Sequence, residues 1–507
     1  MEHTTDRLSE LPEPVVEHIL SFIPLKKILQ LSTLSKRWQK VWTLFPIPQF
    51  NSKFYESNLY EISGNEKKRK IKIKSEEFNY FVERTLVCRC RQKLSINMFN
   101  LKIRVMCEPD YVVANRWIGY AIKSNVKELN LGLKSYVYSS EEKPDEYKVP
   151  ESILKAKSII LLNLFGGNLK SKSSYNDINL SSLRKLVLSR VDMDDQILRS
   201  LIYGCPVLEE IEIGRCYGLK NIHLPACLPK LMSIKLLFCY EELESFEMEA
   251  PNLKKLVLNS PIVTDKWLHG FLSKHPLIES LELSYFCMLE RIKISSDHMK
   301  SLTIDQSSDH LVGVNIDTPN LHTLDYCGDV ISLSSNAFTL SEVNLYFLSD
   351  TPLDVEKIEF LAKLSHPKLL TWSGCAENVI APEELREILP SPLYNVKQLK
   401  LIVDYPLGGD EIIKLVDAML WFSPLLEILF IEWEYPLIEM VDNISFKFSY
   451  ETPVYKSKNS SCCKFLPFPC WRHCLKSIKI DESKRSENVK ALKKYFHKNA
   501  EILESIL

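Results

Sequence analysis

Between residues 462 and 474 the chain gathers Cys462, Cys463, Cys470, His473 and Cys474, the densest set of metal-binding side-chain types it has. Thiolates beside an imidazole suit a soft or borderline cation, zinc above all. Structural zinc usually takes paired ligands of the C-x2-C kind at both ends of a loop, and these spacings do not follow that form. The expectation is therefore packing rather than metal, with no metal and no cofactor assigned. Cys88 and Cys90 stand too close for a redox pair and read as structural or idle. G-x-S-x-G, H-E-x-x-H and G-x-x-x-x-G-K-[ST] do not occur. Gly166-Gly167 and Gly408-Gly409 read as turns after strands, and eleven scattered histidines offer no spaced ligand pair. No catalytic residue is assigned, since no acid, base or nucleophile set converges.

One basic run, Lys67, Lys68, Arg69 and Lys70 with Lys72 and Lys74 behind it, could serve nuclear import or simply be a solvated linker. It has no aromatic platform or basic stripe beside it, so nucleic acid is not the expected partner. The 64 basic and 65 acidic residues nearly cancel, giving no global field toward polyanions or anionic lipid. A secretory leader and a bilayer-spanning run are not expected, so no membrane role is either. Fourteen cysteines without regular pairing suggest reduced thiols in the nucleus and/or cytoplasm. Glycine, 14 of 507 residues, is too scarce for a chemistry built on Gly-rich phosphate loops.

Two kinds of element must carry these groups. The first is the stretch from Leu11 to Phe45, about half of it large apolar side chains. Val15, Val16, Ile19, Leu20, Phe22 and Ile23 cover more than one face of a helix. Pro24 interrupts, and a second helical pattern runs through Ile28, Leu31, Leu34, Trp38, Val41 and Trp42. A segment of roughly 40 residues cannot hide so much apolar surface alone, so another protein should cover it.

The second is a recurring L-x-x-L-x-L phrase. It reads Leu183 to Leu188, Leu208 to Ile213, Leu253 to Leu258, Ile278 to Leu283 and Met299 to Ile304, with further copies from Val126 to Leu131 and later ones at Val396 to Leu401, Leu425 to Phe430 and Leu475 to Ile480. From Leu162 to Val343 it returns about every 23 residues, within the leucine-rich-repeat range. Alternate residues of a strand face one side, so the L-x-L pair points inward and the middle residue outward. Stacked strands then bury a continuous core in a parallel sheet, with stretches such as Asp194 to Ile202 as helical crossovers. Cys205-Pro206, Ala250-Pro251, His275-Pro276, Thr318-Pro319, His366-Pro367 and Ser423-Pro424 punctuate the approach to the strands.

DRLSELPEPVVEHILSFIPLKKILQLSTLSKRWQKVWTLFP resembles an F-box of the plant type, with D-R-L-S-x-L-P, H-I-L-S-F-I-P and L-S-K-R-W-x-x-V-W in order. Phe78 to Leu86, and Asn115-Arg116-Trp117-Ile118 leading into Val126-Lys127-Glu128-Leu129, are similar to passages of plant F-box proteins with leucine-rich repeats. Cys470 to Ile478 followed by Asn488 to Leu503 resembles their C-terminal FBD segment, with Asp481 to Ser486 where a glycine is common. On that pattern Cys470 is a packing residue.

The resemblance implies an α/β chain with a helical F-box hairpin at 1–50, a basic linker at 51–77, a leucine-rich-repeat solenoid of horseshoe form at 78–461 and an FBD-like cap at 462–507. It implies a non-catalytic substrate receptor of an SCF-type ubiquitin ligase. A Skp-type adaptor, and through it cullin and RING subunits, would be held by Leu11, Pro12, Ile19, Leu20, Leu25, Leu34 and Trp38. An unidentified protein target would meet the outward strand residues Asn130, Glu212, Lys235, Glu282, Thr303, Asp325, Asn344 and Lys400, whose mixed charge favours protein over polyanion. The alternative is a scaffold that binds partners without promoting their turnover.

Overall fold

The structure is a computed structural model of the 507-residue chain. It describes residues 11–12, 15–16, 18–19 and 23, and residues 49–507 except 52–63, 92, 94, 105–107, 135–146, 171–176, 225–227, 238–242, 261, 307–309, 331, 336–338, 349–350, 365–366, 405–408, 435–440, 452–460, 464–465, 467–468 and 483–486. The chain divides into two units, Met1–Leu253 and Lys254–Leu507.

In the first unit Gln49–Asn51, Met98–Arg104, Glu128–Lys134, Leu161–Phe165, Lys185–Ser189, Glu210–Gly214 and Ser233–Leu237 each pair in parallel with the next. The apolar positions of the phrase fall into register: Leu129, Leu162, Leu186, Ile211 and Ile234 form one row. Leu131, Leu164, Leu188, Ile213 and Leu236 form the next, and no member of either row is more than 2% exposed. Burial on this scale contributes about 1.5–3 kcal/mol per side chain before entropy is set against it. Two helices, Gly64–Arg91 and Glu108–Lys123, precede the regular repeats. They are joined by Phe78 edge-on to Trp117 and by Glu83, which accepts from Trp117 Nε1 at 2.8 Å and pairs with Arg116. The stretch expected as a linker up to residue 77 is thus helical from Gly64 onward.

In the second unit Lys255–Asn259, Ser280–Ser284, Ser301–Asp305, Thr323–Gly328, Glu342–Phe347, Leu369–Gly374, Gln398–Val403 and Ile428–Glu434 continue the same parallel pairing. Leu256, Leu281, Leu302, Leu324, Val343, Leu370, Leu399 and Leu429 stack as its inner row, none above 3% exposed. After Ile428–Glu434 the direction reverses. Val441–Tyr450 runs antiparallel to it and Leu475–Glu482 antiparallel to Val441–Tyr450. The Leu475 to Ile480 phrase, expected as a late repeat, is therefore part of an antiparallel closure. Its alternation is the same, because strand period alone carries no direction.

The proline punctuation has a definite geometry. Leu208, Leu253, Ile278, Leu321 and Leu426 each donate their N–H to the carbonyl three residues back, at Cys205, Ala250, His275, Thr318 and Ser423. Proline at the second position of such a turn has its φ already set. The residue before it faces the core: Cys205, Thr318 and Ser423 are fully buried.

Crossovers match the sequence expectation in part. Asp195–Tyr203, Asp265–Lys274 and Val355–Lys363 are helical, each with a side-chain N-cap from Asp194, Thr264 and Asp354. Other returns are short strands that pair in small sheets of their own. Asn221–Leu224 pairs with Ser245–Met248, and Arg291–Ser295, Gly313–Asp317 and Ser332–Ser335 pair in series. Ile222 and Leu224, Phe246 and Met248, Ile292 and Ile294, Val314 and Ile316 alternate with polar residues, which fits a strand with one buried face.

Candidate functional site

The middle residue of each L-x-L phrase lies on the face opposite the core, and hydrogen-bonded register aligns these residues into rows. In the first unit the row reads Asn100, Asn130, Asn163, Val187, Glu212, Lys235. In the second it reads Val257, itself buried, then Glu282, Thr303, Asp325, Asn344, Thr371, Lys400, Phe430. All eight target-facing residues expected from sequence stand in these rows and all are half-buried. Asn100, Asn163, Val187 and Thr371 were missed, although Phe99-Asn100-Leu101 and Leu370-Thr371-Trp372 carry the same apolar–middle–apolar signature without the preceding leucine. Phe430, read as an inward position of the Leu425 to Phe430 phrase, faces outward because Leu429 and Ile431 take the inner places.

The rows are already partly knitted. Asp325 accepts from Thr303 Oγ1 at 3.1 Å and from Asn344 Nδ2. Lys235 pairs with Glu212 at 3.7 Å, and Lys400 with Glu432 at 2.8 Å while lying 5.6 Å from the Phe430 ring centre. The Lys235–Glu212 pair, the more open of the two, is worth about 0–1 kcal/mol, so a target can displace it at small cost. Tyr346 is 43% exposed on its strand, adding an aromatic to the second unit's outward face. Such a face can hold a polypeptide by hydrogen bonds and apolar contact, and among the described residues it presents no convergent reactive group.

Of the adaptor-facing residues, Pro12 is exposed, Leu11 and Ile19 are half-buried, and Leu20, Leu25, Leu34 and Trp38 lie outside the described residues. The Pro12 carbonyl accepts from the N–H groups of Val15 and Val16, which starts helical geometry there. Val15 is 43% exposed while Val16 is buried. Lys67, Lys68, Arg69 and Lys70 fall on the helix Gly64–Arg91.

In the second unit, Asp417 on the helix Asp410–Phe422 gathers three donors. Arg386 Nη1 lies 2.7 Å away, Arg472 Nη2 lies 3.4 Å away, and the Tyr495 hydroxyl donates to the same carboxylate. Burial, then the Asp417 charge, holds the Tyr495 phenol well above its ordinary range. These contacts tie the C-terminal strand–helix pair to the repeats and border a cleft of about 560 Å³ lined also by Trp421, Cys462, Cys470 and Trp471.

At that cleft the fold brings together what the spacing kept apart. The Sγ atoms of Cys462, Cys463 and Cys470 and a ring nitrogen of His473 all lie within 4.8 Å of one another. Cys462 Sγ is 3.0 Å from His473 Nε2 and 3.8 Å from Cys463 Sγ. Burial pushes the Cys470 thiol up, opposed by a hydrogen bond from the Arg472 backbone. Burial and then Cys463 push the Cys474 thiol up to about 11.

Comparison with known proteins accords with this geometry. Residues 8–50 match the F-box domain family. Residues 88–261 match the family described as At1g61320/AtMIF1, LRR domain, and residues 226–343 that described as FBD-associated F-box protein At5g56370, LRR repeats. The chain is 26% identical over 262 residues to putative F-box/LRR-repeat protein At3g18150 of Arabidopsis thaliana, covering 51% of this chain and 49% of that one. It is 27% identical over 256 residues to F-box/FBD/LRR-repeat protein At5g56420, covering 50% and 54%. To F-box/LRR-repeat protein At3g59200 it is 29% identical over 265 residues, covering 51% and 46%, both also from Arabidopsis thaliana. The chain spans about half the length of these curated relatives. An F-box match ahead of two repeat matches, on a sheet whose register follows the repeat, makes this chain similar to the plant F-box proteins with leucine-rich repeats and FBD segments.

Proposed function

We propose that the chain is the substrate-recognition subunit of an SCF-type cullin–RING ubiquitin ligase. The observation that carries this reading is the F-box match at residues 8–50 on the same chain as a repeat sheet presenting a register-aligned polar row. The F-box binds a Skp-type adaptor through Leu11, Pro12, Ile19, Leu20, Leu25, Leu34 and Trp38, and the adaptor brings cullin and RING subunits. The outward rows hold a protein target. The chain itself does no bond chemistry: attack of a target lysine on a ubiquitin thioester belongs to its partners. Its contribution is proximity, which replaces a bimolecular encounter by an effectively intramolecular one. Work in the nucleus and/or cytoplasm follows from the same assignment, with Lys67, Lys68, Arg69 and Lys70 as an import signal.

The test is affinity purification of the full chain and of a variant carrying Leu11→Ala, Pro12→Ala and Trp38→Ala. The intact chain is expected to recover an adaptor and cullin, and the variant to lose both while retaining its target. Replacing Asp325 and Lys400 together by alanine is expected to do the reverse. Target half-life should lengthen several-fold with the F-box variant. An unchanged half-life with the adaptor still bound to the intact chain would leave a scaffold, and absence of any adaptor from the intact chain would end the ligase reading.

A further inference from the structure

We propose that Cys462, Cys463, Cys470 and His473 form a Cys3His site for a structural zinc ion that clips the segment Ser461–Cys463 onto the start of the C-terminal strand–helix pair. The site goes beyond the ligase reading and does not depend on it. Four ligand atoms of the right type lie within one 4.8 Å cluster, which is the number and the donor set of a closed structural site. Zinc–sulfur bonds of about 2.3 Å set the edge of a tetrahedron at about 3.8 Å. Cys462 and Cys463 stand 3.8 Å apart. The 3.0 Å from Cys462 Sγ to His473 Nε2 is the length of a thiol hydrogen bond, and the cation takes the place of that proton.

The groups behind the ligands are also arranged for a cation. His473 turns Nε2 to the thiols and Nδ1 to Glu501 Oε2 at 3.0 Å. A carboxylate on the far nitrogen fixes the tautomer whose free nitrogen faces a metal. Cys463 Sγ accepts the Cys470 backbone N–H at 3.1 Å, a contact that holds the two sulfur-bearing segments against each other. Cys463 and Cys470 are buried with Leu466, so the ion is shielded on that side, while exposed Cys462 leaves a route for entry. Binding releases one proton from each of the three thiols to solvent, and His473 enters neutral. The resulting centre carries one negative charge: the cation's two positive charges set against three thiolates. Cys474 stands apart from the set, its thiol lying 3.2 Å from the Cys470 carbonyl.

The test uses the full chain purified under reducing, chelator-free conditions, with zinc counted by elemental mass spectrometry. One zinc per chain is expected, lost in Cys463→Ser and Cys470→Ser and kept in Cys287→Ser. Because buried cysteine variants can fail to fold for other reasons, Glu501→Gln supplies a surface change. It is expected to weaken zinc by on the order of 10–100-fold in competition with a chromophoric chelator. Cobalt(II) added to the metal-free chain should give the intense visible bands of a tetrahedral site together with sulfur-to-cobalt charge transfer. No zinc and no tetrahedral cobalt spectrum would overturn the proposal. So would zinc retained by both serine variants, an unchanged affinity in Glu501→Gln, or a disulfide among Cys462, Cys463 and Cys470 in the reduced preparation.

Discussion

Single residues decide whether this repeat closes properly, and two of them make opposite tests. Gly166, Arg190, Arg215 and Tyr285 each follow a sheet strand with φ between +51° and +83°. At Gly166 a Cβ would run into the Leu133 carbonyl oxygen. Gly166→Ala is expected to cost about 2–3 kcal/mol, left-handed strain of roughly 1–2 kcal/mol plus the clash. Tyr285→Gly should lie within about 1 kcal/mol of neutral, since relief of that strain is offset by chain entropy. Urea unfolding of the two variants separates them. Charge at the residue scale is testable by pH. Hydrogen bonds from Lys300 at 2.6 Å and Lys254 at 2.9 Å hold Glu279 down to about 2 from an ordinary 4.5. A depressed carboxylate contributes its full stability above the ordinary value and loses it as pH falls from about 4.5 toward 2. Glu279→Gln should flatten that part of the acid limb of a stability–pH curve, and high salt should shrink the difference because the side chain is 30% exposed.

Elements show how much was legible before any coordinates. The L-x-x-L-x-L phrase located most of the sheet strands and its middle residue located the outward row, because period two and burial are both written in local sequence. Leu369–Gly374 and Met98–Arg104 were passed over because their neighbours break the phrase while their alternation survives. The direction of Leu475–Glu482 was not legible, since pairing with Val441–Tyr450 is a long-range choice. The cysteine–histidine set was legible as residue types but not as a geometry: its members come from the short 3-10 turn Ser461–Cys463 and from Cys470 to His473, and only folding sets them side by side. A device within the repeats also escaped notice. Asp195 accepts from the N–H groups of Lys220 at 2.9 Å and Asn221 at 3.1 Å, and Asp265 from those of Glu290 at 3.0 Å and Arg291 at 3.1 Å. Each carboxylate joins a crossover helix to the strand that starts the next return. Asp265→Ala is expected to cost about 1.5–3 kcal/mol, with Asp265→Asn losing less. Hydrogen exchange at Arg291 should quicken in both, most in the alanine variant.

At the scale of the whole molecule, 64 basic against 65 acidic residues leave no net attraction to polyanions. Duplex DNA and heparin are expected to bind negligibly at physiological salt by fluorescence anisotropy, and target affinity should change less than tenfold between low and physiological salt. Each repeat depends mainly on its neighbours, so such arrays change length by gaining or losing copies. Here the reversal at Val441–Tyr450 sets a limit on that process. A strand running the opposite way meets Ile428–Glu434 through perpendicular hydrogen bonds in place of the slanted ones that join one repeat to the next. A copy inserted upstream of Ile428 would meet the lattice it already uses, whereas one inserted after Glu434 would have to break an antiparallel pairing.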